Sequence, residues 1–411
     1  MVTAFMNVCG QGRCSALDKI KTALGNCSLL GIVFALYFFS TGFDFLAIAS
    51  GISISRIFAM LLIVLCLLNA GKLRFEISAT GGALFALMGV GLVPVMLMSS
   101  PQTALNPMCS FELGILIAFL ALSFQFSDED VKICGGALVV ASLVLCLLMF
   151  VSPGNVGTQW VSERVVVSIG GSQQDANEFC GYMIFAISFL TYYAVKRWRL
   201  WNFIFVGVIL FCILMTGSRG GLIANLAAFF ISFGAALKQA NKKIVWLAIA
   251  AFLVVLVLIN IDTVLALLPA SVAQRFVGVS LSDGTGLERT QAWENVFDAF
   301  VSSDILRQFF GHGYDSTMEV TFNGLVAHNT YIEVLYTFGF IGSLIFFIVV
   351  FLSVFRAWRA CRYVEVFALI GFCVLLFSLS AYSFKPFWAV VALALMNTDD
   401  GSSVESSKAY L

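Results

Sequence analysis

Apolar residues in this 411-residue chain gather in continuous runs, without the alternation of strands or the one-sided stripe of soluble helices. A helix needs about 20 apolar residues to cover the hydrocarbon core of a bilayer. Runs near that length fall at 29–48, 55–70, 79–98, 111–126, 133–151, 178–194, 200–216, 221–237, 244–261, 331–354, 363–381 and 384–397. The pattern predicts an all-α fold, a polytopic transmembrane helix bundle of about 12 spans, with the short second and last runs leaving 11 or 13 open. The expected organisation is a cytoplasmic tail over 1–28, nine spans over 29–261, one large outer loop over 262–330, three spans over 331–397, and a tail over 398–411.

Polar residues concentrate in three segments expected on the same, outer side: 152–177, the turn TGSRGG at 216–221, and the large loop. Within that loop, 290–303 places Trp293, Val296, Phe297, Phe300 and Val301 on one helical stripe and Glu294, Asp298 and Ser302 opposite. This predicts an amphipathic helix that lies on the membrane surface or roofs the bundle.

Composition agrees with the runs. The chain is 60% hydrophobic and 11% charged, against roughly half apolar and about a quarter charged in soluble domains. Net charge is zero, so bulk nucleic-acid binding has no support. Residues 1–28 carry Arg13, Lys19 and Lys21 without a short apolar stretch ending in a cleavage site, and read as a retained tail. The eleven cysteines, Cys66, Cys134, Cys146, Cys212 and Cys373 among them, form no CxxC pair and read as helix-packing or lipid-facing residues.

Charge becomes informative once it is sorted by side. Lys and Arg concentrate in cytoplasmic loops, and with both termini inside the clusters KRWR, KQANKK and RAWRACR fall there, with 16 of the 23 cations. The seven left outside are Arg56, Arg164, Arg219, Arg275, Arg289, Arg307 and Lys385, six of them arginine, whereas nine of the ten lysines lie inside. Anchoring needs only positive charge; a planar guanidinium suits bidentate capture of phosphate or carboxylate. The outer face therefore reads as built for an oxyanion, against the alternative of pairing with outer acids such as Glu163, Asp175, Glu288 and Asp315.

Both histidines, His312 and His328, fall in the outer loop. His328 stands where the chain turns back into the membrane, beside Asn329 and near Tyr331 and Glu333; an imidazole there can take a proton from a hydroxyl at neutral pH, or can simply start a helix. Arg219 sits among Gly217, Gly220 and Gly221 at the mouth between two spans, a place that suits a watery cavity, and the glycines would let a bulky ligand approach the backbone. The bland alternative is a snorkelling anchor.

The order of these features resembles a known family. AHN at 327–329 with Gly339 and Gly342 gives HN-x9-G-x-x-G, preceded by TGSRGGLIA at 216–224, ERTQAW at 288–293 and GHGYDS at 311–316. This arrangement resembles the O-antigen ligase and O-antigen polymerase superfamily of bacterial membrane glycosyltransferases. QQDANEFCGYM at 173–183 resembles a further helix start of that family, with Ala176 in place of the usual proline. The resemblance implies a bundle of the lipid-carrier glycosyltransferase type in the bacterial inner membrane, with its active site facing the periplasm. The donor would be a glycan on undecaprenyl pyrophosphate, and the acceptor a hydroxyl on lipid A core or on a lipid-linked repeat unit.

Carried over by position, Arg219 and Arg289 would bind pyrophosphate and His328 would act as general base. Arg164, Asp175, Asn177, Arg275, His312, Tyr314 and Asn329 are the expected substrate-binding residues. Guanidiniums aimed at the departing pyrophosphate would stabilise the transition state without a metal or other cofactor, and the outer acids lack the clustering a magnesium site would need. Attack opposite the leaving group implies inversion at the anomeric carbon. A transporter or flippase is the competing reading, disfavoured because the expected spans are nearly free of charge apart from Asp44 and Glu112 near their outer ends.

Overall fold

A computed structural model describes residues 27–49, 52–74, 78–97, 101–158, 161–277, 285–321 and 326–398. Most of the expected N-terminal tail, with Arg13, Lys19 and Lys21, the C-terminal tail with Lys408, and the side chains of Glu163 and Glu288 lie outside the described residues.

The chain is mostly helical, and each apolar run carries a helix. Among the described residues nine precede the large loop: α1 Leu29–Thr41, α2 Ile54–Leu68, α3 Ala79–Leu92, α4 Pro101–Ser123, α5 Asp128–Val151, α6 Ala176–Lys196, α7 Trp201–Met215, α8 Arg219–Gln239 and α9 Lys243–Ile259. Then come four short helices and one longer one, α10 Ile261–Ala266, α11 Ala270–Val277, α12 Thr285–Val301 (the longer), α13 Ile305–Phe310 and α14 Thr317–Val320, followed by α15 Thr330–Arg359, α16 Tyr363–Leu375 and α17 Lys385–Leu395. Among the described residues six are long and apolar enough to cross a membrane, over 79–96, 105–123, 128–151, 176–196, 219–239 and 330–359; the other six runs hold shorter apolar helices.

The helix ends follow from local sequence. Ser127 and Asp130 form a reciprocal capping box at α5, whose first turn holds Asp128, Glu129 and Asp130 against the positive end of the helix dipole. Asp130 also accepts from Ser28, at 2.8 Å from its backbone N–H and 3.1 Å from its hydroxyl, which joins the start of α1 to the start of α5. Arg362 donates to Leu393 O and Met396 O and so satisfies carbonyls left open at the end of α17. Every residue of α17 is buried, which explains why an 11-residue helix suffices there: it is the packed centre of the bundle.

Contacts between connecting segments sort to two ends. One end joins Ser28 to Asp130, strand Gln125–Phe126 to strand Asn397–Thr398, Arg356 to Asn397, and the Lys242 ammonium to the Trp198 ring. The other joins Lys385 to Asp44, Ser218 to Asn177, Arg275 to Gly217, and His328 to Ser380. The Lys/Arg clusters lie at the first end and the outer arginines at the second, the alternation expected from charge.

The all-α expectation needs correcting: besides two short strand pairs, Ala47–Ala49 with Ile52–Ser53 and Gln125–Phe126 with Asn397–Thr398, there is a larger sheet. Pro153–Thr158, Val161–Ile169 and Ser172–Gln173 form an antiparallel three-stranded sheet. Its signal was in the sequence: a β-branched run, VSERVVVSI, followed by Gly170-Gly171, both at positive φ (58° and 85°), the chemistry of a tight hairpin. The roof helix α12 also departs from the expected stripe. Val296 is buried and Trp293 and Phe300 pack beside it, but Phe297 and Val301 are exposed.

Lys385, 3% exposed, donates to Asp44 and to the hydroxyls of Ser53 (3.2 Å) and Ser55 (3.0 Å), clamping α17 to the α1–α2 connection. Removing one partner strands the other charge, so Lys385→Met is expected to destabilise the fold by about 3–5 kcal/mol, and pairing it with Asp44→Leu to restore much of that loss. Thermal unfolding of the detergent-solubilised protein measures both; equal melting of the single and double variants would contradict the clamp.

Candidate functional site

At the second end, four segments meet. The start of α8 is capped by Ser218, whose oxygen accepts from Gly221 N–H at 3.2 Å and whose hydroxyl donates to Asn177 Oδ1 at 2.8 Å in the first turn of α6. Arg275 on α11 donates from Nε to Gly217 O at 3.2 Å. The glycines beside Arg219 have a different use from the one expected. A Cβ on Gly220 would lie 2.2 Å from Ser378 Oγ, and one on Gly221 2.4 Å from Cys180 Cβ. They seat α8 against α6 and the 376–381 segment; protein, not ligand, fills that space.

The same 376–381 segment holds His328. Ser380 Oγ accepts from His328 N–H at 3.1 Å. Thr330 donates from its N–H to Leu376 O (2.8 Å) and from Oγ1 to Leu379 O, and accepts from Ala381 N–H (2.8 Å). From above, Trp293 Nε1 donates to Ala327 O at 2.7 Å, so α12 roofs the His328 turn. His328 itself has φ +50°, a left-handed conformation uncommon for a non-glycine residue and held here by these bonds.

Electrostatics link His328 to residues distant in sequence. Arg164 on the sheet, Asp175 at the start of α6, and Arg289 on α12 all act on one another or on the imidazole. Burial first, then the Arg289 charge and that of Arg164, push His328 down to about 4 against the opposing pull of Asp175. The imidazole is therefore neutral, and able to accept a proton, across the physiological range. Burial also lowers Arg164 and Arg289, the latter further because Arg164 is near. Two like charges half-buried side by side are costly unless an anion joins them. Arg164 Nε and His328 Nδ1 are buried with no hydrogen-bonding partner among the described residues, the kind of orphan that marks a functional site.

The structure thus brings together Arg164, Asp175, Arg289 and His328, and ties the Arg219 turn to them through Asn177 and Ser378. Asn177 and Asn329 serve their neighbours rather than the site's interior: Asn177 holds Ser218, and the Asn329 side chain caps α15 by accepting from Tyr331 N–H (3.0 Å) and Ile332 N–H (3.4 Å). Asp175 likewise caps α6, accepting from Asn177 N–H (2.7 Å) and Glu178 N–H (3.0 Å).

His312 and Tyr314 depart from their expected role. The His312 ring stacks on Tyr336 with centroids 4.0 Å apart and bonds Ser303 Oγ at 2.7 Å. Tyr314 is fully buried among Phe111, Phe338 and Tyr382 and donates to Glu112 at 3.2 Å. Both pack the roof onto the bundle. Sequence reasoning missed Ser380 and the 376–381 segment, which carry no motif of their own. Among the described residues no group of three His, Cys, Asp or Glu side chains is arranged as metal ligands.

Comparison with known proteins adds to this geometry. Residues 204–347 match a family model described as O-antigen ligase, and that match supports a place in the O-antigen ligase and polymerase superfamily. The matched stretch holds Arg219, Arg289 and His328. No curated protein matches the chain. A solved structure described as "Structural coordination of polymerization and crosslinking by a peptidoglycan synthase complex" contains a chain that aligns at TM-score 0.45 and 16% identity, over 77% of this chain and 96% of its own. A likeness that distant carries no argument about activity.

Proposed function

We propose, from the match of residues 204–347 to the O-antigen ligase family model, that the protein is a membrane glycosyltransferase that moves a glycan from an undecaprenyl-pyrophosphate carrier to an acceptor hydroxyl at the periplasmic face of the inner membrane. The observation that carries the reading is the cluster itself: a neutral, roofed imidazole beside two half-buried guanidiniums, at the end of the bundle opposite the Lys/Arg clusters. The orientation is the charge-derived one, twelve apolar helices acting as spans with both termini cytoplasmic.

In this mechanism Arg289, Arg164 and Arg219 bind the pyrophosphate. The imidazole of His328 accepts the proton of the acceptor hydroxyl as its oxygen bonds to sugar C1. The bond from C1 to the pyrophosphate oxygen breaks, and its electron pair leaves with that oxygen. Charge then builds on phosphate oxygens where the guanidiniums already point, so they stabilise the transition state more than the ground state. Asp175, opposite in charge, holds the arginines as a group before the anion binds. In-line displacement gives inversion, and a product that keeps the donor's anomeric configuration contradicts the scheme.

Deleting the gene and analysing surface glycan tests the reading. Lipid A core bearing one repeat unit identifies a lost polymerase, and bare core with accumulated lipid-linked polymer identifies a lost ligase. Unchanged lipopolysaccharide with loss of another exported polysaccharide identifies a different acceptor. Unchanged surface glycans of every kind would overturn the assignment.

A further inference from the structure

The mechanism asks one residue, His328, to sit in a left-handed turn with its ring turned to the acceptor, yet no motif residue touches its backbone N–H; Trp293 holds only the preceding Ala327 carbonyl. The contact comes from Ser380, whose Oγ accepts from His328 N–H at 3.1 Å. A serine hydroxyl has one proton to give, and the Glu333 carboxyl lies within hydrogen-bonding reach of it. Glu333 is 1% exposed, in the first turn of α15, and its Oε2 is buried with no hydrogen-bonding partner among the described residues. A carboxyl buried this deeply is costly to keep, and a leucine or methionine would fill the same space. Its worth lies in what it accepts.

We infer that Glu333 and Ser380 are positioning residues: the carboxyl fixes the Ser380 hydroxyl, and Ser380 fixes the His328 backbone, so that the imidazole faces the acceptor. This rests on the reading of His328 as the base. The alternative is a purely local role for Glu333, an acid in a first helical turn favoured by the dipole, and the two diverge in what each substitution does. Glu333→Gln removes the charge but keeps a carbonyl acceptor for Ser380; Glu333→Met keeps the volume and removes the acceptor.

The test measures initial glycan transfer in membranes from a strain lacking the chromosomal gene, supplied with lipid-linked glycan extracted from that strain, at matched abundance of each variant. A displacement of about 1 Å can cost on the order of 100-fold in rate. Glu333→Met, Ser380→Ala and the double variant are each expected to lose about 10- to 100-fold and by a common factor, because they break one chain of contacts. Glu333→Gln and Ser380→Thr are expected to stay within about threefold of wild type, and thermal stability to change little in all five. His328→Ala is the control. If it is inactive while Glu333→Met and Ser380→Ala transfer normally, or if their losses multiply in the double variant, the positioning role is overturned and the base assignment stands. If His328→Ala transfers normally, both fall.

Discussion

Alanine at position 328 is expected to reduce glycan transfer by about 10²–10⁴-fold, the usual contribution of a general base, while membrane abundance stays at the wild-type level. The abundance follows from geometry: the bonds that hold this turn run through the backbone N–H of His328 and the Thr330 side chain, not through the imidazole. Arg289→Ala is expected to be comparably damaging, since it removes charge at the departing pyrophosphate. The pH dependence distinguishes a base from a mere contact. In the free protein the imidazole is held down to about 4 by burial and by Arg289 and Arg164, so the rate at low donor concentration should fall only near that pH. Bound pyrophosphate offsets those arginines, so at saturating donor the acidic limb should move upward, toward the ordinary histidine range. Coincident limbs at low and saturating donor, or an unchanged limb in His328→Ala, would remove His328 from the mechanism.

Stability moves over the same range and must be separated from rate. His328 and His312 both titrate near 4 in the fold, below the ordinary value of 6.5. The unfolded chain therefore takes up protons first, and stability present above 6.5 is lost as pH falls from there toward 4. Return of activity after acid exposure and neutralisation identifies titration of the catalytic group; loss that persists identifies unfolding.

Much of this architecture was written in local pattern. Each run of apolar residues marked a helix, and in six of them the helix is also long enough to cover hydrocarbon, a length and a composition that need no tertiary information. The Lys/Arg clusters sorted the loops into two groups that the fold keeps at opposite ends. Arg289, His328 and the Arg219 turn could be read because motif spacing carried them. What could not be read was partnership across distance. Nothing in the sequence says that Arg164 lies near Arg289, or that the segment after α16 supplies Ser380 to His328, since each depends on how separate helices dock. The hairpin at 153–173 is a different kind of miss: its β-branched run and paired glycines were legible and were outweighed by the helical pattern on either side. His312 and Tyr314 lay in a motif beside the site, and there the motif encodes packing.

The same lesson gives the second large effect: Gly339→Ala is expected to prevent accumulation of folded protein. Gly339 interrupts α15 with φ 66° and ψ −172°, a combination essentially restricted to glycine. The interruption leaves carbonyls of the preceding turn without helical donors, and the segment after α13 supplies them: His312 N–H donates to Tyr336 O at 2.9 Å and Gly313 N–H to Thr337 O at 3.1 Å. This pairing needs backbone against backbone. A Cβ on Gly339 would lie 2.5 Å from Gly311 N and Phe309 O, and one on Gly311, itself at φ 86°, 2.1 Å from Thr337 O. No side chain can swing aside to relieve either clash, so the roof must lift from the bundle and release both carbonyls. Gly342→Ala differs in kind, because residue 342 keeps helical φ and ψ and the added methyl meets Phe338 Cβ at 2.4 Å and Val90 Cγ1 at 3.1 Å, so the shift it forces stays within the bundle and does not part the roof from it. Abundance of a fluorescent fusion after detergent extraction should therefore rank wild type above Gly342→Ala, and Gly342→Ala well above Gly339→Ala and Gly311→Ala. Normal yield and transfer from Gly339→Ala would mean that the roof is not seated through this contact, and that the two glycines of HN-x9-G-x-x-G serve some purpose other than holding it over His328.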